Sequence, residues 1–185
     1  MGYAHWFMSI IISQMRDHSI YVDQARYATY IVAKYLYTAT VKASTKFYKT
    51  TLPSDMIFTK ADTSTSDEQV ENLTKGLNIH YRYWIGSLIY LLSTRVELIF
   101  AVKKLEKFSA NPGKVNFEGL VHILIYIGEN KTLGLKYYAN INDAPVSDLL
   151  RQASIKTDRS TGEWIIFYKG GPIDHDTNVP GPVAQ

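Results

Sequence analysis

Arg82, Gly86 and Tyr90 stand four residues apart, so on a helix they share one face. At a nucleic-acid groove each type has a use. Glycine lets the backbone approach sugar edges, tyrosine stacks on them, and arginine reaches a phosphate. The same spacing equally suits a helix packed tightly on its neighbour through Gly86. Lys103, Lys104 and Lys107, with Arg95 and Lys114, form the densest basic patch. They read either as non-specific phosphate contacts or as the solvated face of a helix. The carboxylates promise less. Asp23 closes the run Ile20-Tyr21-Val22-Asp23 and is followed by Gln24, whereas two-metal chemistry needs several carboxylates together. Asp174, His175 and Asp176 are consecutive, and on a strand they point to alternate faces instead of converging on a metal.

The elements that must position these residues follow from periodicity. Residues 5–13 are aromatic and β-branched, 14–18 are polar, and 19–23 form a second short run, the pattern of a β-hairpin. From Gln24 the spacing changes. Tyr27, Ile31 and Tyr35, with Val32 and Leu36, make the stripe of an amphipathic helix to about Tyr37. Residues 38–76 lack periodicity and predict an irregular spacer with a short helix near 67–75. Three helices follow, over 79–92, 96–108 and 115–128, with Asn111-Pro112-Gly113 as a break. Leu88, Leu92, Ala101, Leu105, Leu120 and Leu124 are their expected core. Phe117, Val121 and Ile127 join it from the third helix. Residues 133–138 alternate as a strand, 146–151 suggest a weak helix, and 162–168 with 172–176 form a second hairpin around Lys169-Gly170-Gly171. The Pro- and Gly-containing end, 178–185, reads as loose.

Composition bounds the rest. At 185 residues, 46% hydrophobic and 20% charged, the chain can bury a core. Its 14 tyrosines serve a core, but also surfaces that meet nucleic acid or protein. A net charge of +3 is too small to argue a nucleic-acid partner, although an acidic spacer (51–76) separates two basic blocks. With no cysteine, disulfides and thiolate zinc sites are excluded. No apolar run approaches the ~20 residues that span a bilayer. The expectation is a soluble intracellular protein, cytoplasmic or nuclear, with no membrane partner.

One stretch is more specific. From Trp84 to Tyr138 the chain carries Ile85-Gly86-Ser87-Leu88-Ile89-Tyr90-Leu91, Thr94-Arg95, Phe100-Ala101-Val102 with Leu105, Pro112-Gly113-Lys114, Phe117-Glu118, Ile123-Leu124 with Tyr126, and Gly134-Leu135 with Tyr137. In order and spacing this resembles the region behind the polymerase active site of copia-type retrotransposon polyproteins. The family commonly has proline where Val96 stands, and arginines at His122 and Ile125.

The resemblance implies an α+β fold, dominated by a helical thumb and connection bundle, with β-hairpins at the two ends. It divides the chain into a primer-grip-like hairpin and first helix (1–37), the spacer (38–76), the bundle (77–132) and a truncated ribonuclease H-like remnant (133–185). Phe7-Met8-Ser9 resembles the primer-grip hairpin, which holds the primer end; alternatively Trp6, Phe7 and Ile10 fill a core. The helix with Arg82, Gly86 and Tyr90 is similar to the thumb helix laid along the minor groove of the template–primer. Gln24 stands where the family's Tyr-Val-Asp-Asp turn has its second aspartate. The segment instead fits the downstream Gln-x-x-Tyr element, which makes Asp23 a solvated or helix-capping residue. Arg159-Ser160-Thr161-Gly162 resembles the start of ribonuclease H without its first aspartate strand. The resemblance therefore implies no enzyme activity, metal or cofactor, and at most weak, non-specific binding of RNA–DNA hybrid or duplex RNA. The alternative is a degenerate or domesticated remnant acting as a protein-interaction module, or without function.

Overall fold

The computed structural model describes residues 6–38, 48–53, 55–59, 62–64, 66–140, 162–168 and 171–178. The fold is α+β, with five α-helices and a four-stranded antiparallel sheet among the described residues. Chain contacts divide it into two compact units, Gln24–Leu133 and Met1–Asp23 with Gly134–Gln185. These boundaries differ from the four segments expected from the sequence. The first helix belongs to the helical unit, and the strand after Leu133 to the strand-rich one.

The helical unit contains α1 (Ala25–Thr38), α2 (Asp67–Leu77), α3 (Tyr81–Leu91), α4 (Ile99–Glu106) and α5 (Lys114–Glu129). Its core is one apolar cluster: Ala28, Ile31 and Tyr35 from α1; Trp84, Ile85, Leu88 and Leu91 from α3; Ala101, Val102 and Leu105 from α4; Phe117, Leu120, Ile123, Leu124 and Ile127 from α5. All six expected core residues are buried, each contributing about 1.5–3 kcal/mol if it is a leucine. Val121 is only half-buried, at the edge of this cluster. Aromatic edges knit the helices: Tyr35 meets Trp84 at 6.1 Å and Tyr81 meets Phe117 at 5.2 Å. The Tyr81 hydroxyl donates to the Leu105 carbonyl at 2.9 Å, which satisfies a phenol that burial would otherwise penalise.

The helix expected over 96–108 is split. Residues 96–98 form a 3-10 turn and α4 begins only at Ile99. The cause lies just before it, where the connection is tied down by its polar side chains. Thr94 Oγ1 donates to Gln24 Oε1 at 2.8 Å, and Arg95 Nη1 donates to the Asn130 carbonyl at 3.0 Å. Arg95 itself sits outside the helical region (φ −122°, ψ 67°), so the helix cannot run through it.

The spacer is partly structured by side-chain anchors. Tyr48, Leu52 and Phe58 pack on the core, and Ser64 Oγ donates to the Pro112 carbonyl at 2.8 Å. Helix α2 runs two residues past its expected end. Ser66 caps it through Gln69 N at 3.4 Å, Asp67 and Glu68 fill its first turn, and Asn78 closes it in the left-handed region.

In the strand-rich unit, β1 (Trp6–Phe7), β2 (Ile10–Gln14), β3 (Ile20–Asp23) and β4 (Gly134–Tyr137) pair in chain order, all antiparallel. This corrects the sequence reading in two ways. The run 5–13 is not one strand, because Met8 (φ 48°) and Ser9 (φ 62°) form a two-residue turn between Phe7 and Ile10. The strand near 133–138, grouped from the sequence with the C-terminal segment, pairs with β3, Val22 opposite Leu135. Gly134 is required there: a Cβ would lie 2.4 Å from the Val22 carbonyl oxygen. A second hairpin joins β5 (Gly162–Tyr168) to β6 (Gly171–Asn178), with a bulge at Ile166/Phe167. The weak helix expected over 146–151 and the end beyond 178 lie outside the described residues.

Candidate nucleic-acid interface

Helix α3 is amphipathic, so its buried and open faces follow from the sequence. Tyr81, Trp84, Ile85, Leu88 and Leu91 point inward, leaving Arg82, Tyr83, Gly86, Ile89 and Tyr90 exposed. The three residues singled out by spacing therefore lie together on the outer face. Among the described residues, an added Cβ at Gly86 would meet nothing within 4 Å. None of the described neighbours uses the glycine for close helix packing. It leaves a stretch of bare backbone between Tyr83, one turn before it, and Tyr90, one turn after. Arg82 is oriented by its Nε, which donates to the Ser109 carbonyl at 2.8 Å. That bond ties the first turn of α3 to the chain two residues past Lys107.

Helix α1 borders this face. The Tyr27 ring meets Tyr90 edge-on at 5.0 Å, and its hydroxyl reaches the Ser87 carbonyl at 3.4 Å. Tyr30 lies 6.3 Å from Tyr27 and is exposed. Lys34 Nζ donates to the Tyr83 hydroxyl at 2.6 Å and stands 4.5 Å from that ring's centre and 5.7 Å from Tyr30's. This hydrogen bond lowers the Tyr83 phenol's pKa and raises that of the Lys34 ammonium. Sequence reasoning missed Tyr30, Lys34 and Tyr83 and read Tyr27 as core. The signal was there: Tyr27, Tyr30 and Lys34 are spaced three and four apart, a second stripe beside Ile31 and Tyr35.

The lysines differ from one another. Lys103 pairs with Glu106 at 3.1 Å, and Lys104 lies 5.1 Å from the centre of the exposed Phe100 ring. Lys107 is exposed at the end of α4. Lys114 is also exposed, 3.9 Å from Glu118. Arg95 does not belong to this patch. It is 1% exposed, and its guanidinium is held by Glu97, by the Asn130 carbonyl and near the Tyr126 ring. Its charge holds loops together. His122 is buried and stacked 3.7 Å from Tyr48, with Nε2 2.9 Å from the Thr50 carbonyl. Burial holds its pKa below the ordinary value.

In the other unit, the Phe7-Met8-Ser9 segment forms the tip of the β1–β2 turn. Trp6, Phe7 and Met8 are 62%, 61% and 64% exposed, so the first two do not fill a core. Asp23 is buried at the end of β3, two residues before α1, so of the two expected roles, solvated or helix-capping, the solvated one does not hold. The strand pairing places Asp23 opposite Gly134, where an added Cβ would lie 2.8 Å from the Asp23 Cβ. No group of three acidic, histidine or cysteine side chains able to hold a metal occurs among the described residues. No helix among them is long and apolar enough to cross a membrane. No protein-family model, curated protein or solved structure matches the chain.

Proposed function

We propose that this chain is a fragment of a copia-type retrotransposon polyprotein. It corresponds to the thumb and connection region behind the polymerase active site, running into a truncated ribonuclease H-like remnant. Its activity is passive binding of RNA–DNA hybrid or duplex RNA, without polymerisation or RNA cleavage. The single observation that supports this reading most is Gly86. A solvent-facing glycine in mid-helix costs about 1 kcal/mol relative to alanine and gains nothing in packing. Close approach of a ligand backbone would give it a use, and Arg82 and Tyr90 flank it on the same face. Lys104 and Lys107 add attraction to phosphate, and Lys103, already paired with Glu106, adds less.

Fluorescence anisotropy with a blunt RNA–DNA hybrid at two salt concentrations tests the reading. Expected dissociation constants are ~10⁻⁴–10⁻⁶ M, weakening steeply with salt. Lys107→Ala should lower the logarithmic salt slope by about 1, and Lys103→Ala by less. Absence of salt-dependent binding refutes the proposal. The exposed Trp6, Phe7 and Met8 favour a second reading, a protein-interaction module. Under that reading Phe7→Ser improves solubility and leaves hybrid binding absent.

A further inference from the structure

The duplex track uses Arg82, Gly86 and Tyr90, and it leaves a neighbouring feature without a task. Tyr30 and Tyr83 stand in solvent, 55% and 45% exposed, on two different helices. One ammonium, Lys34, lies within 6 Å of both ring centres. The rings are continuous with the track, because Tyr27 touches Tyr30 on one side and Tyr90 on the other. Burial does not explain Tyr30 or Tyr83, since phenylalanine-like packing would have turned them inward. A duplex offers these faces no base to stack on. Its bases are stacked on one another and offer a protein only edges, sugars and phosphates. Bases of an unpaired strand have free faces, and aromatic side chains beside a cation are the usual platform for them.

We propose that Tyr30 and Tyr83, with Lys34 between them, form a stacking platform for an unpaired nucleic-acid strand beside the duplex track. The preferred ligand is then a hybrid with a single-stranded overhang, not a blunt one. Tyr30 and Tyr83 stack on bases, and Lys34 meets the intervening phosphate while its bond to the Tyr83 hydroxyl holds the ring in place. Sequence preference is low, because every base has a face to stack. This inference rests on the duplex-binding reading for the word "beside" only. The platform itself would bind an isolated strand.

The experiment compares three labelled probes on the full chain: a blunt RNA–DNA hybrid, the same hybrid with a short oligo(dT) extension, and oligo(dT) alone. The overhang should raise affinity about fivefold or more, the lower end for one base on an exposed ring. Tyr30→Ala should reduce that gain and weaken oligo(dT) binding while blunt-hybrid affinity stays the same, and adding Tyr83→Ala should abolish the gain. Tyr83→Phe keeps the ring and should keep the gain. Unfolding temperatures of all variants check that the fold survives, and Tyr30→Ala alone, at a solvent-exposed ring, carries the test if the double variant unfolds. An overhang gain that persists without both rings overturns the proposal, as does the absence of any gain or of any oligo(dT) binding. If the blunt hybrid fails to bind but oligo(dT) binds in a Tyr30- and Tyr83-dependent way, the duplex reading falls and the platform stands.

Discussion

Replacing Gly86 separates fold from function, because the structure decides the sign of each effect. Gly86 is the sixth residue of α3, well inside the helix, and a Cβ there meets open space. Gly86→Ala therefore removes conformational freedom from the unfolded chain at no steric cost to the folded one, a gain of about 1 kcal/mol. For a unit of this size that is a rise of about 4 °C in unfolding temperature. Gly86→Leu should be nearly as stable, since leucine has almost alanine's helix propensity. Its side chain would nevertheless stand in the notch between Tyr83 and Tyr90 and hold a groove away from the backbone. We expect hybrid affinity to fall about tenfold, or 1.4 kcal/mol. Gly76, also with nothing within 4 Å of its Cβ, is the control. It lies in the last turn of α2, so Gly76→Ala should give a smaller stabilisation and leave binding as it was. Thermal unfolding followed by circular dichroism reads stability, and anisotropy reads binding. A lowered unfolding temperature for Gly86→Ala would mean that α3 is covered at that point. A stable Gly86→Leu that binds hybrid within about twofold of the parent would reduce α3 to a packing helix.

Other substitutions test the frame around this face. Gly113→Ala would set a Cβ 1.6 Å from the Asp62 carbonyl oxygen, a clash with backbone that only a loop shift relieves, and should cost about 3 kcal/mol in urea unfolding. An unchanged midpoint would mean that the 62–64 segment is not seated there. Arg95→Met should cost about 2 kcal/mol by stranding Glu97 and the Asn130 carbonyl, with the salt slope of hybrid binding unchanged. A flatter slope would show that Arg95 reaches phosphate. His122 titrates below its ordinary 6.5 because it is buried, although its bond to the Thr50 carbonyl pulls the other way. The unfolded chain therefore binds the proton first as pH falls. The stability contributed by neutral His122 is complete above about 6.5 and is lost as pH drops from there toward the lower folded value. His122→Gln, which keeps a donor for Thr50, should flatten the stability–pH profile in that window. A profile with the same slope there would rule the histidine out as its source.

Much of the helical unit was legible without coordinates, since a helix declares its buried face by period alone. Leu88, Leu105, Leu120 and Leu124 repeat at helical spacing and are buried, and Ser66 with Asp67 and Glu68 announces the start of α2. The shared face of Arg82, Gly86 and Tyr90 was also local information, a matter of counting residues per turn. What the face meets was not. Whether Gly86 packs on a neighbour or lies open depends on where other helices fall, and only the tertiary structure decided it. The same holds for Arg95, which reads as one more cation in a basic run until Glu97 and the Asn130 carbonyl enclose it. Residues 133–138 were recognisable as a strand, but strand partners are long-range, and pairing with β3 more than a hundred residues earlier leaves no local trace. The turn at Met8 and Ser9 was hidden for a different reason. Such turns are signalled by glycine or asparagine, and here two residues with ordinary side chains adopt positive φ because the pairing of Phe7 with Ile10 requires it. Periodicity reports which side of an element is buried, whereas the third dimension alone selects the neighbour that buries it.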